Sequence, residues 1–322
     1  MTYTSQSFSV EQNHGNLARG FLDGLVLEDG HPGITSLDVE HWLYGGRMPR
    51  PARGQGFFRA HGALFFPGSE VEPDSRPDGM ILAPGPGNEI RMVAREAAEN
   101  LYAVQLGLIE GEWSRGKASL RIPVMEGRED LESFLASRGY SQGEPVRLIR
   151  EVEPRELVRG LGQEAREILK GFSEDGTSLA SYGEQSDTPR HVLALGRNLG
   201  YEGINGTWFE AKRRMPGYRP ELDLFIIAPD GREVGNILGV FNPHTRRGEI
   251  SYLGSGDLGG SGAEQAKERC MCLAAELGSR MEGIGAQRIE IPCPPEPDAY
   301  NRLFDGIEGQ GVTRELVWEK VF

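Results

Sequence analysis

The chain has no excess of positive charge. Its 35 Lys and Arg are outnumbered by 48 Asp and Glu, for a net charge of -13 over 322 residues. A dedicated binder of nucleic acid or of an anionic membrane needs a basic footprint, so neither partner is expected, although Lys212, Arg213 and Arg214 form one local basic cluster. Long apolar runs are also missing, and no stretch approaches the roughly 20 residues that cross a bilayer. The opening MTYTSQSFSVEQNHGN has neither a basic head nor an apolar core, so no signal peptide is expected and the cytoplasm is the expected location. Cysteine is scarce and odd in number. Cys270, Cys272 and Cys293 contain no C-x-x-C spacing, which points to small buried thiols in a reducing compartment. The histidines His14, His31, His41, His61, His191 and His244 show no H-E-x-x-H or related spacing, so no metal site is expected.

What is present is an internal repeat. The length favours two domains, and a hydrophobic share of 38% supports real cores. Each half runs apolar strand, glycine-rich loop, long helix, strand, short helix, final strand. In the second half these are EISYLG at Glu249–Gly254, SGDLGGSG, a helix from Ala263, RIEIPC, DAYNRLF and RELVWEKVF. In the first half they are GMIL at Gly79–Leu82, APGPG, a helix from Asn88, ASLRIPV, EDLESFLAS and PVRLIREV. The expected Asn88 helix rests on Ile90, Val93, Ala97, Leu101 and Val104, spaced by three and four.

Other elements follow from local pattern. The first fifty residues predict one helix near Leu37–Tyr44, and FFRA and ALFF predict a hairpin about His61–Gly62. Pro154 opens a helix carrying Leu157, Leu161, Ala165, Ile168 and Leu169. Residues 173–187 read as polar loop, Pro189–Leu199 as helix, and LDLFIIA with EVGNILGVF as a hairpin about Pro229-Asp230-Gly231. A boundary at Glu151–Pro154 gives domains 1–150 and 151–322. Each is expected to be an α+β unit: a mixed, mostly antiparallel sheet flanked by helices, with one right-handed crossover.

The chemistry points to the loop Gly254–Gly262, where five of nine residues are glycine. Glycine lets a backbone approach a ligand closely, and the amides opening the next helix favour an anion such as a pyrophosphate. A flexible turn before a helix is the plainer alternative.

These stretches resemble the GNAT N-acetyltransferase superfamily. The resemblance is carried by ELDLFIIAPDGREVGNILGVF, by GEISYLGSGDLGGSGAEQAKERCMCLAAEL and by AQRIEIPC with DAYNRLFDGIEGQG; in the first half it is carried by SLRIPV with EDLESFLASRGY. The whole is similar to the tandem, two-domain type that includes mycothiol synthase. The resemblance implies acetyl-CoA as co-substrate, no metal, and an amine of a small molecule or peptide as acceptor, attacking the thioester directly. It implies cofactor binding by Leu253, Gly254, Ser255, Gly259, Gly260, Ser261, Gly262 and Ala263. The family's loop pattern, Arg/Gln-x-x-Gly-x-Gly/Ala, falls in one register on Asp257-Leu258-Gly259-Gly260-Ser261-Gly262, which keeps both glycines and loses the first residue, and in another starts at Gly260 and keeps less. In the first half, Pro86 removes an amide from the loop Pro84–Gly87, and Glu89 and Glu264 each place an acid in an expected first turn.

Catalytic roles are implied for two residues. The family's thiolate-protonating tyrosine falls on Phe304, which has no proton to give, and Tyr300 one turn earlier is the substitute. Glu249 is the implied general base acting through a water, with His244 as the alternative. The plainer roles stay open: Tyr300 as packing, Glu249 as a solvated strand end, Trp208 as packing rather than a substrate platform. Two functions follow: an N-acyltransferase with a degenerate first domain, or a non-catalytic module of the same fold that binds acyl-CoA or another ligand.

Overall fold

The computed structural model describes residues 2–8, 14–29, 34–43, 62–71, 75–83, 88–95, 99–185, 187–201, 203–256, 262–296 and 299–322. The described chain falls into two compact units. Unit 1 takes residues 2–43, 62–147 and 313–322, and unit 2 takes 148–312.

Unit 1 begins with β1 (Tyr3–Ser7), α1 (His14–Asp29), α2 (Ser36–Leu43), β2 (Gly62–Pro67), β3 (Gly79–Leu82) and β4 (Arg91–Ala94). It continues with α3 (Glu99–Leu108), a π-helical turn (Ile109–Trp113), β5 (Ser119–Met125), α4 (Glu129–Ser137) and the first part of β6 (Ser141–Val152). Strands β1-β2-β3-β4 form an antiparallel sheet in that order. Side chains alternate cleanly across it. Leu64, Phe66, Met80, Leu82 and Val93 pack with Phe21, Leu22 and Leu25 of α1. Ala63, Phe65, Ile81 and Met92 pack on the other face with Leu101, Tyr102 and Leu106 of α3.

Unit 2 contains α5 (Pro154–Asp175), β7 (Ser178–Ser181), α6 (Thr188–Asn198), α7 (Gly206–Arg213), β8 (Tyr218–Ile227) and β9 (Glu233–Asn242). It continues with β10 (Arg247–Gly254), α8 (Ala263–Gly283), β11 (Arg288–Cys293) and α9 (Ala299–Leu303). The strand order is β11-β10-β9-β8-β7, and residues 148–152 of β6 run antiparallel beside β11. Every pairing is antiparallel except β10 with β11. Helix α8 lies across one face, on Leu222, Leu224, Ile226, Ile237 and Ile250. It can lie close because β9 is small at the contact: a Cβ on Gly239 would sit 2.7 Å from Leu277 Cδ1.

The repeat is real. The order strand, two helices, three strands, helix, strand, helix, strand occurs twice, the second time ending in β12 (Gly311–Val321). The division departs from a plain cut at 150/151, because β12 from Thr313 on belongs to unit 1. There it runs antiparallel to β5, from Glu315 opposite Met125 to Val321 opposite Ser119.

Several local expectations are corrected. The helix expected from Asn88 starts at Glu99, and residues 91–94 are strand β4. Ile90, Met92, Val93 and Ala94 are all buried, and a short apolar run covered on both faces shows no period that separates strand from helix. The loop Pro84–Gly87 therefore links two antiparallel strands rather than opening a helix; its own residues lie outside those described. In unit 1 the strand-to-helix junction is instead β4 to α3. Strand β1 and helix α1 were not anticipated in the first fifty residues. FFRA lies outside the described residues, and ALFF in β2 pairs with β1 and β3. Residues 173–187, expected as loop, hold the end of α5 and the strand β7, which pairs with β8.

Replacing Leu277, which is fully buried in the α8 contact, by Ala is expected to cost about 2–5 kcal/mol, read as a lowered midpoint of urea unfolding.

Candidate functional site

Strands β10 and β11 stay together for three residues only. Arg247, Gly248 and Glu249 lie beside Arg288, Ile289 and Glu290, and no pairing follows among the described residues. Two local features accompany the parting. A register shift between Ile250 and Tyr252 puts a bulge at Ser251, while β10 stays paired to β9 as far as Gly254. At the same level β11 carries Pro292, which has no N–H to offer a neighbour. The strands then enclose a cleft of about 320 Å³. Ser251, Tyr252, Leu253 and Gly254 line one side, and Pro292 and Pro294 line the other. Asn198 and Leu199 at the end of α6 also line it, as do Gly256 and Tyr300.

The end of α6 is locked to the end of β10. The Gly256 amide donates to the Asn198 carbonyl at 2.9 Å. Gly254 must be glycine for this approach, since a Cβ there would lie 2.6 Å from that same backbone oxygen. Gly256 itself has φ of +69°, a turn that favours glycine.

The residues singled out from sequence fall as follows. Leu253 and Gly254 line the cleft, and so does the half-buried Tyr300. Ser255 is buried beside them, its hydroxyl donating to the Val234 carbonyl at 2.7 Å. Gly262 is the N-cap residue of α8 and Ala263 its first residue. Gly259, Gly260 and Ser261 lie outside the described residues. Tyr300 packs edge-on to Phe304, centroids 5.4 Å apart, and Phe304 is fully buried. Glu249 lies within β10 and is fully buried, at the level where β10 and β11 are still paired. A Cβ on its neighbour Gly248 would meet Met281 of α8, so alternation turns Glu249 to the opposite face of the sheet. His244 is exposed in the turn before β10. Trp208 is buried and stands against Tyr252, centroids 6.3 Å apart.

Sequence reasoning missed a buried polar network on that opposite face. Helix α6 starts from an Asp187 cap that accepts from the Arg190 amide, with Pro189 in its first turn. This sets His191 inward, among the rings of Tyr182, Phe209 and Phe225 at 5.1–5.3 Å. His191 Nδ1 is 2.9 Å from Glu233 Oε2, and its Nε2 is 3.3 Å from Asp223 Oδ1 in ion-pair contact. Tyr218 donates to Asp223 Oδ2 at 3.0 Å, and Tyr252 donates to Asp223 Oδ1 at 3.3 Å. Asn236 donates to Glu233 Oε2 at 3.0 Å, and Asn198 donates to Asn236 Oδ1. The network thus leaves the cleft at Tyr252 and returns to it at Asn198. Burial opposes a charge on His191, but the Asp223 and Glu233 carboxylates outweigh it and push the imidazole up to about 9. Burial, and then the same Asp223, push the Tyr252 phenol well above its usual value, so it stays protonated. A signal was available: Asp223, Glu233 and Asn236 interrupt otherwise apolar strands.

Among the described residues no group of side chains could hold a metal ion, and no helix is long and apolar enough to cross a membrane. The cysteines are free and buried, and burial pushes the Cys270 and Cys272 thiols up to about 12.

No protein-family model and no curated protein matches the sequence. Solved structures do match it. A tandem GNAT protein from the clavulanic acid biosynthesis pathway aligns with a TM-score of 0.62 and 10% identity, over 99% of this chain and 98% of that one. A GNAT-family acetyltransferase from Colwellia psychrerythraea aligns at 0.55 and 11%, over 99% of both chains. A GCN5-related N-acetyltransferase from Sphaerobacter thermophilus aligns at 0.53 and 15%, over 99% of this chain and 95% of that one. At these identities the likeness is one of fold: the chain has the α+β GNAT fold in tandem.

The His191 resonance in ¹⁵N-histidine NMR is expected to titrate near pH 9, and Asp223→Asn to bring it down toward 6.5. The proton is held more tightly in the folded state. Its contribution to stability is therefore complete below pH 6.5 and is lost as pH rises through about 9. Urea midpoints over that window should show this loss in the wild type and not in His191→Gln.

Proposed function

We propose that unit 2 is an N-acyltransferase that moves an acetyl group from acetyl-CoA to an amine. The carrying observation is the cleft opened where β10 and β11 part, at the foot of the loop that leads into the 21-residue helix α8. An extended thioester arm would lie in this cleft: Pro292 and Pro294 line its β11 side, and β10 presents a strand edge that has no β-partner beyond Glu249 among the described residues. Backbone amides along such an edge polarise a carbonyl as its oxygen becomes negative. Leu253, Gly254 and Ser255 would hold the arm. Gly259, Gly260, Ser261, Gly262 and Ala263 would carry the pyrophosphate by their amides at the start of α8. Tyr300, which lines the same cleft, would return a proton to the departing thiolate. Glu249 would draw the amine's proton through a water. Unit 1 would be a degenerate repeat of the same fold. The acceptor is a small-molecule or peptide amine. The cytoplasm suits three free, buried cysteines.

One other reading has observations in its favour. Phe304 is buried where the family's tyrosine would fall, and Glu264 stands in the first turn of α8, where it would face a bound phosphate. A module that binds acyl-CoA without transfer would tolerate both.

Calorimetric titration with acetyl-CoA, followed by thiol release in the presence of amines, separates these readings. Transfer predicts a one-site isotherm and amine-dependent thiol. Tyr300→Phe should lower turnover by about 100-fold and spare binding, and Gly260→Glu should abolish binding. Binding without thiol release would select the module, and no binding at millimolar ligand would overturn both.

A further inference from the structure

Two repeats with one element order allow a direct comparison of what the fold needs. In unit 1 the strand face under α1 carries Leu64, Phe66, Met80, Leu82 and Val93, with Arg91 beside them on β4. In unit 2 the face under α6 and α7 carries Asp223 on β8, Glu233 and Asn236 on β9 and Tyr252 on β10, all buried. On that face of unit 1 the ionisable strand residue is Arg91 of β4, which pairs with Glu315 of β12, whereas the cluster in unit 2 reaches the cleft. Buried charges cost desolvation and give a fold little net stability. A cluster of them that reaches a cleft marks a working site.

The cluster also has a direction. Of its groups, Tyr252 lines the cleft and donates its hydroxyl to Asp223. Asp223 meets His191, and His191 meets Glu233. Asp223 already accepts the Tyr252 hydrogen bond, so it is the group to which that phenol's proton can pass. The groups facing the triad from the packed elements are Tyr182 after β7, Tyr218 on β8, Tyr252 on β10, and Arg197 of α6, which donates to the Glu233 carbonyl. Arg213 of α7 lies over the Tyr182 ring at 5.2 Å, and Lys212 of α7 lies over Trp208 at 5.6 Å.

Building on the transfer reading above, we propose that Tyr252 is a catalytic proton shuttle: it takes a proton from the acceptor ammonium as it passes its own to Asp223, with His191 and Glu233 as positioning residues behind it. The N–H bond of the ammonium breaks, and its proton bonds to Tyr252 Oη. The Tyr252 O–H bond breaks in the same event, and that proton goes to the Asp223 carboxylate. The freed nitrogen lone pair forms the C–N bond at the thioester carbonyl. The C–S pair then leaves with sulfur, which gains a proton from Tyr300 while Tyr300 recovers one from the new amide nitrogen. The products are the amide, the free thiol and one proton on the triad, which returns to solvent. In this scheme Tyr252 replaces Glu249 as the group that takes the amine's proton, Glu249 being buried where β10 and β11 are paired.

The test compares two phenols on one carboxylate. Tyr218 donates to the other oxygen of Asp223 and is not among the residues lining the cleft. The probes are acetyl-CoA with spermidine, glucosamine and tyramine, read by thiol release from pH 6 to pH 10. Tyr252→Phe is expected to lower kcat by about 100-fold or more with unchanged acetyl-CoA affinity, while Tyr218→Phe stays close to wild type. Asp223→Asn is expected to shift the acidic limb of the kcat/KM profile, and His191→Gln to shift it as well without abolishing turnover. Equal losses in the two phenol variants, or full turnover in Tyr252→Phe, would overturn the shuttle while leaving the transfer reading intact. A wild-type protein that binds no acetyl-CoA, or releases no thiol with any amine, would overturn the transfer reading and the shuttle with it. Circular dichroism of each variant separates lost chemistry from lost folding.

Discussion

The separation of β10 from β11 is the constraint on which the rest of unit 2 depends. Two parallel strands that stayed paired would bury their backbone groups in each other and leave no room between them. Three paired residues hold the strands in one sheet, and the bulge at Ser251 with Pro292 opposite ends the ladder. From that point each strand is supported from its outer side, β10 by β9 and β11 by β6. The opening is therefore carried by the sheet itself rather than by mobile loops. Placing a site on regular elements gives it the geometric tolerance that chemistry requires.

Around this opening, the small residues and the ionisable ones do different work. Gly254 lets the end of α6 come against the end of β10, and this contact brings Asn198 and Leu199 to the cleft wall. Asp223, His191 and Glu233 sit beneath, in a buried polar network that reaches the cleft at Tyr252. That reach to a cleft is the feature of the network that bears most on function. Unit 1 holds buried charge as well, on β4 and on the helices α1 and α2. Arg91 on β4 pairs with Glu315 on β12, and Arg147 also reaches Glu315 at 3.3 Å. That cluster ties together three strands of the unit, with every charge facing an opposite one, as a structural ion network does.

How much could be read in advance differs between the halves. In the second half the periodicities of α8, the RIEIPC strand and the Asp230-Gly231 turn are strong, and each matches an observed element. In the first half, Ile90 and Val93 carried the same spacing as a helix stripe although they lie in and beside a buried strand. Ambiguity of this kind is inherent in short apolar runs, because a strand covered on both faces shows no polar side. Helix α1 escaped notice because its sequence, HGNLARGFLDGLVLED, contains three glycines and reads as loop by local propensity. Its Phe21, Leu22 and Leu25 become a helix face through packing on the sheet.

The sequence by itself determined the repeat, the α+β class, the strand-to-helix glycine loop of unit 2 and the presence of Tyr300 near its end. These are local properties, written in spacing and in turn chemistry. Tertiary structure alone decided that β12 would close the first unit and that β10 and β11 would part. It also decided that Asp223, His191, Glu233 and Tyr252, drawn from three strands and a helix, would meet behind the cleft. Strand order and the convergence of distant side chains depend on which hydrogen-bonding edges find each other, and no window of neighbouring residues encodes that choice.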